Sequence, residues 1–530
     1  MKSVRTVFAA ALLAAPLPMI IGVAVAGAAT LTVQAGAPDN AGCNPAAPHP
    51  TITQAIGCAA DGDTISVGAG TFTERVTIDK DVVVNGAGIG QTFIDGGGVD
   101  TLAGPGQVYV IADGDATLSN LTVRNAGANN ANPSTGHYSI YDRGPTDGSD
   151  ATGTHTFSDI AVVGGGAGRP DTGYYCFQNT GNVIIENSSF TAIAGNHLLF
   201  ENCTGAVRVA GNDFDQSLVA DAAMYSMRYS GFESAEPQLV TGNSFSGAGI
   251  SYNGSFFGLE GTVGRFTGID ITDNSFEGMA IGVGLFNRAT VGANGQIDDV
   301  AISGNLFTGT GTSQAVRLTG LISDVALTAN TIVAQAIGIQ VIPQPANGHI
   351  PTGTTAEGNR IVGNTVGANA TAPAALDAER NFWGCNEGPG ETGCDTVTGD
   401  VDADPWLQLA FAPAPATSVT SGATTDFGVT TWVDSDGDDV AFGVPGTPAV
   451  TFAATGGSVT PTDAVLDEGI FASVTFRAGA GTGAAQVSAT LDNATITSGI
   501  TVVAGPVTPG SSAPRALPAV PATASPTFVG

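Results

Sequence analysis

The stretch "TGNSFSGAG" at residues 241–249 recurs with few changes as "TDNSFEGMA" at 272–280 and as "SGNLFTGTG" at 303–311. The Phe of this motif falls at positions 190, 214, 245, 276 and 307, and Ile332 takes the same place afterwards. The intervals between these positions are therefore 24, 31, 31, 31 and 25 residues. A repeat of this length is typical of a solenoid, in which each turn of the chain stacks on the turn before it.

Alternating apolar residues surround each motif and predict two short strands per repeat. Those preceding the Phe by seven and five positions are Val183 and Ile185, Val207 and Val209, Ile269 and Ile271, Val300 and Ile302, and Val325 and Leu327. After the motif, "AIGVGLFN" (280–287) aligns with "AIGIQVIP" (336–343). Alternation places every second side chain on the same face of a strand, so each repeat is expected to bury the equivalent face of its strands.

The repeated Asn and Phe have separate expected roles. The Asn is expected at a bend between strands with a left-handed backbone, its amide hydrogen-bonded to the same Asn one turn away. The Phe is expected inside the coil, stacked on the Phe of neighbouring turns. The motif therefore predicts two internal ladders, one polar and one aromatic.

The start of the chain shows which solenoid this is. "TITQAIGCAADGDTISVGAGTFTERVTIDKDVVVNGAGIGQTFIDGGG" (51–98) resembles the first turn of right-handed parallel β-helix proteins of the pectate-lyase-like superfamily. The resemblance implies a short cap helix over Thr51 to Ala60, with Ile52 and Ile56 on its buried side. "NFWGCNEGPGETGCDTVTGDVDADPWL" (381–407) resembles the closing segment of such coils, so the β-helix is expected to occupy residues 29–407.

The composition changes after this coil. Residues 408–420, which include "APAPATSVT" (412–420), are predicted to be a linker. The pattern over 421–504, with "VTFAATGGSVTP" and "GIFASVTFRAG", resembles the bacterial Ig-like domains of invasins and intimins. Residues 505–530 are rich in Pro, Ala and Ser and are predicted to be disordered. The predicted fold is thus all-β, a right-handed parallel β-helix solenoid followed by a small Ig-like β-sandwich.

Residues 1–28 read as a secretory signal peptide, because Lys2 and Arg5 precede an apolar run that ends in small residues. A membrane anchor is the competing interpretation, but Pro16 and Pro18 interrupt the run, and no membrane insertion is expected after cleavage. The net charge of −31 argues against a nucleic-acid partner, which would require clustered Lys and Arg. The protein is therefore expected to be secreted or held at the cell surface.

Export makes the six cysteines candidates for disulfides. Cys43 with Cys58 and Cys385 with Cys394 each close a short loop. Cys176 with Cys203 is a less certain pair, because their Cα atoms could lie beyond the distance a disulfide spans. No cofactor is expected. Calcium is possible at "DSDGDD", where Asp434, Asp436, Asp438 and Asp439 offer carboxylates, although a plain hairpin turn explains the same residues.

Catalytic motifs of pectinolytic enzymes with this fold are largely missing. Only the paired Asp298 and Asp299 match the polygalacturonase set, and the His and Lys partners of that set are absent. The motifs of pectin methylesterases are also absent, and no motif identifies the base that a pectate lyase needs. A polysaccharide lyase or glycoside hydrolase is therefore the alternative function, and a structural stalk or adhesin component is a third.

Aromatic, Arg and polar side chains on the strand after each motif are the main candidates for a binding surface. Such groups stack on sugar rings and hydrogen-bond to their hydroxyls or carboxylates. The competing interpretation is that the aromatic residues belong to the core and the Arg residues are ordinary surface groups. The candidate residues are Arg317, Gln340, Arg288, Arg228, Tyr225, Phe286, His197 and Glu201. The expected partner is a polysaccharide or cell-surface glycan, bound by an exported bacterial β-helix protein.

Overall fold

The structure is a computed structural model that describes residues 28–97, 106–125, 137–145, 151–164, 171–216, 225–230, 237–253, 265–287, 296–344, 348–467 and 471–505. Apart from its last residue, the predicted signal peptide over 1–28 lies outside these residues. The predicted disordered tail lies outside them from residue 506 onward. Within the described residues, no helix has the length and apolar character needed to cross a membrane.

The first part of the chain is a parallel β-helix, as predicted. Its strands pair in parallel with the equivalent strands of the next turn and form three faces along the coil. In the described residues the first two faces share a 23-stranded sheet, because the long strands Ala116–Arg124 and Thr154–Val163 run across both. The third face is a separate 12-stranded sheet, called the front sheet below.

The strands of each face follow one another in chain order. The first face contains Thr30–Val33, Thr64–Val67, Val83–Asn85, Ala116–Arg124, Thr154–Val163, Asn182–Glu186, Val207–Ala210, Gln238–Thr241, Ile269–Thr272, Ile297–Ser303, Ile322–Thr328, Thr352–Glu357, Leu376–Asp377 and Val401–Asp402. The second face contains Gly70–Phe72, Thr92–Asp95, Ser189–Thr191, Asp213–Asp215, Ser244–Ser246, Ser275–Glu277, Leu306–Thr308, Thr331–Val333 and Arg360–Val362. The front sheet contains Val76–Ile78, Gly106–Val110, His137–Asp142, Asp171–Phe177, Leu198–Glu201, Tyr225–Ser230, Gly249–Asn253, Ile281–Asn287, Gln314–Gly320, Ile337–Ile342, Val366–Ala370 and Val397–Gly399.

The predicted aromatic ladder lies inside the second face. Phe214, Phe245, Phe276 and Phe307 are fully buried and face one another in register. Their ring centroids are 4.8, 4.9 and 4.7 Å apart in that order. The near-parallel rings match the strand spacing, so the solenoid repeat itself sets the stacking distance.

The predicted Asn ladder runs along the corner between the first two faces. The Asn274 side-chain amide donates to the Asn305 Oδ1 at 3.0 Å and to the Val240 carbonyl at 2.9 Å, and neighbouring turns repeat the pattern. The expected left-handed backbone lies one residue earlier, since Asp273 has φ 56° and the equivalent Gly304 has φ 67°. The reversal at the preceding residue leaves the Asn free to point inward, where its buried amide satisfies both neighbouring turns.

A short helix, Ile52–Cys58, caps the start of the coil. The Thr51 side chain accepts a hydrogen bond from the Gln54 backbone N–H and begins the helix. Ile52, Ala55 and Ile56 are its buried residues, and they cover the apolar end of the first turns. The strand Thr30–Val33 precedes the helix and pairs with Thr64–Val67, so the coil begins before the predicted cap.

All three predicted disulfides are formed. Cys43 bonds to Cys58, Cys385 to Cys394, and Cys176 to Cys203. The third pair has a Cα–Cα distance of 6.3 Å, within disulfide range, because Cys176 lies directly opposite Phe200 in the next turn. Cys203 follows Phe200 by three residues, and this offset still keeps the two cysteines within reach of each other.

The second module consists of two sheets around a common apolar core. The four-stranded sheet contains Leu407–Phe411, Thr424–Asp434, Ala472–Ala478 and Gly457–Thr460. The five-stranded sheet contains Ser418–Thr420, Ala494–Val503, Gly483–Leu491, Ala449–Thr455 and Asp463–Val465. This architecture is a β-sandwich, and its assignment to the bacterial Ig-like class stays a prediction.

Residues 408–420 are not a free linker. Leu407–Phe411 pairs with Thr424–Asp434, and Ser418–Thr420 pairs with Ala494–Val503, so both ends of the segment belong to the sandwich. Leu407 and Leu409 are buried in its core, which explains why this stretch forms a strand although it adjoins a Pro-rich run.

Candidate functional site

The outer surface of the front sheet carries a continuous column of side chains. Register places Tyr109, Tyr141 and Tyr175 opposite one another in successive turns. The same column continues through Leu199, Arg228, Ser251, Gly284, Arg317 and Gln340. The neighbouring positions in each strand, such as Val108 and Tyr174, point into the apolar core. Because side chains alternate across a strand, this column faces outward.

Four tyrosines stack at one end of the column, and we call Tyr109, Tyr138, Tyr141 and Tyr175 the tyrosine cluster. Tyr109 and Tyr141 have ring centroids 5.4 Å apart and an interplanar angle of 7°. Tyr141 and Tyr175 are 5.2 Å apart, and Tyr138 lies 4.3 Å from Tyr175. Tyr109 and Tyr138 remain half-buried, so the cluster presents aromatic surface and hydroxyls together.

Burial raises the pKa of Tyr138, Tyr141 and Tyr175, so these three hydroxyls stay protonated at neutral pH. Burial, followed by the hydrogen bond to Glu201, raises the pKa of Tyr175 above its ordinary value. Its hydroxyl donates to the Glu201 carboxylate at 2.6 Å. Burial raises the pKa of Tyr141 to about 12. The cluster therefore offers neutral hydroxyl groups beside one carboxylate, a combination that can donate and accept hydrogen bonds.

A second group lies further along the same sheet, and we call Phe286, Arg317, Thr319 and Gln340 the arginine patch. The guanidinium carbon of Arg317 lies 5.8 Å from the centre of the Phe286 ring. Gly284 makes this possible, because a Cβ there would lie 2.4 Å from that ring. Glycine at this position of the column therefore leaves room for the Phe286 ring beside the cation.

Several polar atoms of this region lack partners. Among the described residues, Arg317 Nε, Gln340 Oε1, Thr319 Oγ1 and Gln314 Oε1 are covered yet make no hydrogen bond to protein. Buried polar groups without partners are uncommon in folded proteins. The arginine patch thus contains unsatisfied hydrogen-bonding groups: Arg317 Nε is a donor, Gln340 Oε1 is an acceptor, and the Thr319 hydroxyl can act as either.

Most of the predicted site residues lie on the front sheet. Arg317 and Gln340 pair in register as expected, and Tyr225 lies with its ring centroid 6.0 Å from that of Phe286. Arg228 belongs to the outward column, half-buried between the two groups. Glu201 lies beside the tyrosine cluster. Arg288 lies outside the described residues.

The expectation that His197 points outward is wrong. Its side chain is fully buried, 5.8 Å from Phe214 between ring centroids. His197 precedes the strand Leu198–Glu201 and lies at the corner where the chain enters the front sheet, so the alternation of the strand does not apply to it. Burial lowers the pKa of His197 to about 3, and His197 belongs to the core of the coil.

The acidic candidates lie elsewhere and have structural partners. Asp298 is in a first-face strand and forms a 2.7 Å ion pair with Arg265. Asp434 is buried, and its Oδ1 accepts hydrogen bonds from the backbone N–H groups of Asp436 and Asp438. That arrangement is a hairpin turn. Among the described residues, no carboxylates of this loop converge as a metal-ligand group.

The tyrosine cluster was not predicted from the sequence. Its signal was the alternation of Tyr with inward residues in "VYV" (108–110), "IYD" (140–142) and "YYC" (174–176). These turns lack the Asn and Phe motif. Their tyrosines are 32 and 34 residues apart, outside the 24 to 31 of the later repeats, so they could not be aligned from the motif.

Comparison with known proteins found solved structures that resemble this one, but no family to which the chain can be assigned. No family model matches the chain, and no curated protein matches it by sequence. The Dettilon tailspike protein is similar over 85% of this chain and 89% of its own, with 14% identity and a TM-score of 0.45. A tailspike mutant of the E. coli bacteriophage HK620, solved in complex with a pentasaccharide, is similar over 83% of this chain and 86% of its own, with 10% identity and a TM-score of 0.33.

Shorter matches involve a surface-layer protein. The structure of domains 4 and 5 of the S-layer protein SbsC matches 20% of this chain at 22% identity, with a TM-score of 0.15. The chain spans 57% of that structure and 14% of the structure of SbsC domains 1–6. The functional argument for this parallel β-helix protein therefore rests on its own side chains.

Proposed function

We propose that this chain is an exported glycan-binding protein whose front sheet holds a polysaccharide lengthwise along the outward column. The observation that carries the proposal is the register that places the tyrosine cluster, Arg228 and the arginine patch in one line. From Tyr109 to Gln340 the column covers eight strand steps of about 4.8 Å, or roughly 40 Å. A linear polymer suits such a line better than a compact ligand does.

The chemistry of the column favours sugars. Aromatic faces in the tyrosine cluster and Phe286 offer stacking surface, while the Arg317 and Gln340 side chains offer hydrogen bonds to hydroxyls. Arg228 and Arg317 place positive charge on an otherwise acidic protein of net charge −31. Local cations can hold an acidic sugar unit there, whereas the protein as a whole repels long anionic polymers.

Binding is favoured over hydrolysis. Glycoside hydrolysis by the common mechanism requires two carboxyl groups on either side of the scissile bond. In the described strands, the outward positions from Tyr109 to Gln340 and the flanking positions from Phe177 to Ile342 contain the single carboxylate Glu201. Its oxygen already accepts from Tyr175. We therefore assign the front sheet to recognition without turnover.

The export proposal rests on two features. The three disulfides form in oxidising compartments and are rare in the cytosol. The predicted signal peptide is the second feature. We infer that the protein acts outside the cytoplasm, in the medium or at the cell surface.

The test is isothermal titration against a panel of neutral and acidic polysaccharides, combined with assays for reducing ends and unsaturated products. Arg317→Ala is expected to weaken binding about tenfold, the loss typical of a charged hydrogen-bonding group. Arg208→Ala is the matched control, because Arg208 is an exposed Arg on the first face, paired with Glu186.

Three outcomes would contradict the proposal. The first is an absence of binding across the panel, which would favour a structural stalk. The second is equal loss in Arg317→Ala and Arg208→Ala, which would place the ligand elsewhere or make the effect general. The third is release of sugar products, which would establish an active site.

A further inference from the structure

A cleft of about 930 Å³ lies where the second face of the coil meets the sandwich. Leu306, Thr331 and Arg360 line it from the coil, and Trp432 and Phe442 line it from the sandwich. Ligand sites commonly have volumes of roughly 300 to 1,000 Å³ and occur at contacts between domains. The cleft is separate from the front sheet, which forms a different face of the coil.

The coil side of the cleft is a rigid floor. Leu306, Thr331 and Arg360 are opposite one another in three successive strands of the second face. The next residue of the first strand, Phe307, is fully buried in the aromatic ladder. Leu306 itself is 42% exposed, unusual for a large apolar side chain on a strand. The floor therefore presents apolar surface that the ladder below holds in place.

The sandwich side is also anchored. Val444 is fully buried, and its backbone N–H donates to the Thr431 hydroxyl at 3.0 Å, which holds the loop 441–448 against the sandwich core. In the same loop, Phe442 packs over Gly358 of the coil, where a Cβ would lie 3.0 Å from the ring. Gly358 has φ 68°, a conformation that favours glycine. The loop is thus fixed to both modules.

The charges of the cleft disfavour an anionic ligand. The Arg360 Nε donates to the Asp492 Oδ2 at 2.9 Å, and its second nitrogen binds the other carboxylate oxygen of Asp492. The positive charge of Arg360 is therefore neutralised by a bidentate ion pair. The exposed carboxylate of Asp273 also lines the cleft. Among the described lining residues no other cation is present.

We propose that this cleft is a second carbohydrate site that takes a neutral oligosaccharide. Trp432 is 37% exposed, and its indole with the Phe442 ring provides aromatic surface for sugar rings. Asp273 and Thr331 provide acceptors and a hydroxyl for sugar hydroxyl groups. The negative charge at Asp273 and the neutralised Arg360 disfavour uronates. The inference goes beyond the proposed function of the front sheet and is independent of it.

Tryptophan fluorescence of the full chain reads out this site. The chain has three Trp residues. Trp383 is fully buried, and Trp406 is half-buried and donates to the Asn386 carbonyl at 2.9 Å, so Trp432 is the exposed one. The probes are neutral hexasaccharides of glucose, xylose and mannose, with hexagalacturonate as the acidic comparison. At least one neutral probe is expected to shift the emission to the blue saturably and to reduce quenching by acrylamide.

Variants then locate the binding by isothermal titration. Trp432→Ala, on the sandwich wall, is expected to weaken the neutral hexasaccharide about tenfold. Leu306→Arg, on the coil wall, is expected to weaken it to a similar degree by filling the cleft. Both side chains are exposed, so the fold should be retained. Phe471→Ala is the matched control, because Phe471 is a 43% exposed aromatic residue of the same sandwich outside this cleft.

Four results would overturn the proposal. They are the absence of binding by every neutral probe, tighter binding of hexagalacturonate, unchanged affinity in both cleft variants, and an equal loss in Phe471→Ala. Arg317→Ala separates this site from the front sheet. It is expected to leave the fluorescence response of Trp432 unchanged, whether or not the front sheet binds glycan.

Discussion

Strand register aligns the side chains of successive turns both inside the second face and outside the front sheet. The aligned side chains are uniform inside the second face and varied outside the front sheet. Inside the second face, Phe214, Phe245, Phe276 and Phe307 repeat one side chain in four successive turns. Outside the front sheet, the column changes from Tyr through Arg to Gln. A buried position in neighbouring turns of a solenoid meets similar neighbours, so one residue type can fit several turns, as Phe does until Ile332 takes its place. An outward position is free of that constraint and can vary along the coil.

The difference separates stability from recognition. Identical stacked rings contribute to folding in each turn that carries the Phe, whereas an outer column of varied side chains offers different groups to different units of a polymer. Changes to the inner ladder should therefore alter the free energy of unfolding, and changes to the outer column should alter binding while leaving stability nearly unchanged.

The largest expected effect is on the aromatic ladder. Phe276→Ala should lower the free energy of unfolding by about 3 to 5 kcal/mol, because it leaves a cavity in a close-packed stack. Chemical denaturation measures the change. Leu306→Ala is the control, since Leu306 is a large apolar residue on the outer side of the neighbouring strand. A loss for Phe276→Ala no greater than that of the control would show that the ladder does not support the coil.

Acid should destabilise the coil through His197. Burial lowers the pKa of His197 to about 3, so the folded state binds the proton less readily than the unfolded chain does. The free energy of unfolding that depends on neutral His197 is fully present above about pH 6.5. It decreases as the pH falls towards 3, with a limiting slope of about 1.4 kcal/mol per pH unit. Denaturation of the parent protein and of His197→Leu at several pH values checks this, and the variant should show the smaller acid loss.

The pKa of His155 is shifted in the opposite direction to that of His197. Burial opposes its charge, but attraction to Asp142 and a 2.8 Å hydrogen bond to that carboxylate raise the pKa of His155 overall. The contribution of His155 to the free energy of unfolding is therefore fully present below about pH 6.5 and is lost as the pH rises through the raised pKa.

An acid loss in His197→Leu equal to that of the parent would contradict the assignment of His197 to a neutral core position.

The Asn ladder should contribute less than the aromatic ladder does. Asn274→Ala removes two donated hydrogen bonds and leaves the amide of Asn243 without its acceptor, a loss of about 1 to 3 kcal/mol. Ser275→Ala, at the exposed neighbouring position, is the control and should be nearly neutral. Parallel denaturation curves measure both. A neutral Asn274→Ala would mean that the corner is held by its backbone bonds alone.

The repeated interior could be predicted from the sequence because the motif returns in successive turns. Phe276 and Asn274 were assigned to ladders from spacing alone, and the cysteines from their proximity and the export signal. The tyrosine cluster was missed because its turns have other lengths and lack the motif. The cleft around Trp432 depends on a contact such as that of Arg360 with Asp492, 132 residues apart, and no repeat indicates which distant surfaces meet.

The central claim is that a polysaccharide lies lengthwise along the front sheet. Its most direct test is the affinity of oligosaccharides of increasing length, prepared from the polysaccharide that binds. Isothermal titration would compare the parent with Tyr109→Ala and Gln340→Ala, the first and last residues of the stretch proposed to hold the polymer. If the polymer lies lengthwise, affinity rises with chain length, and both variants weaken the longest oligosaccharide, whereas a short one is sensitive to at most one of them. Equal affinity for all lengths would contradict lengthwise binding. Unchanged affinity of both variants for the longest oligosaccharide would contradict it as well.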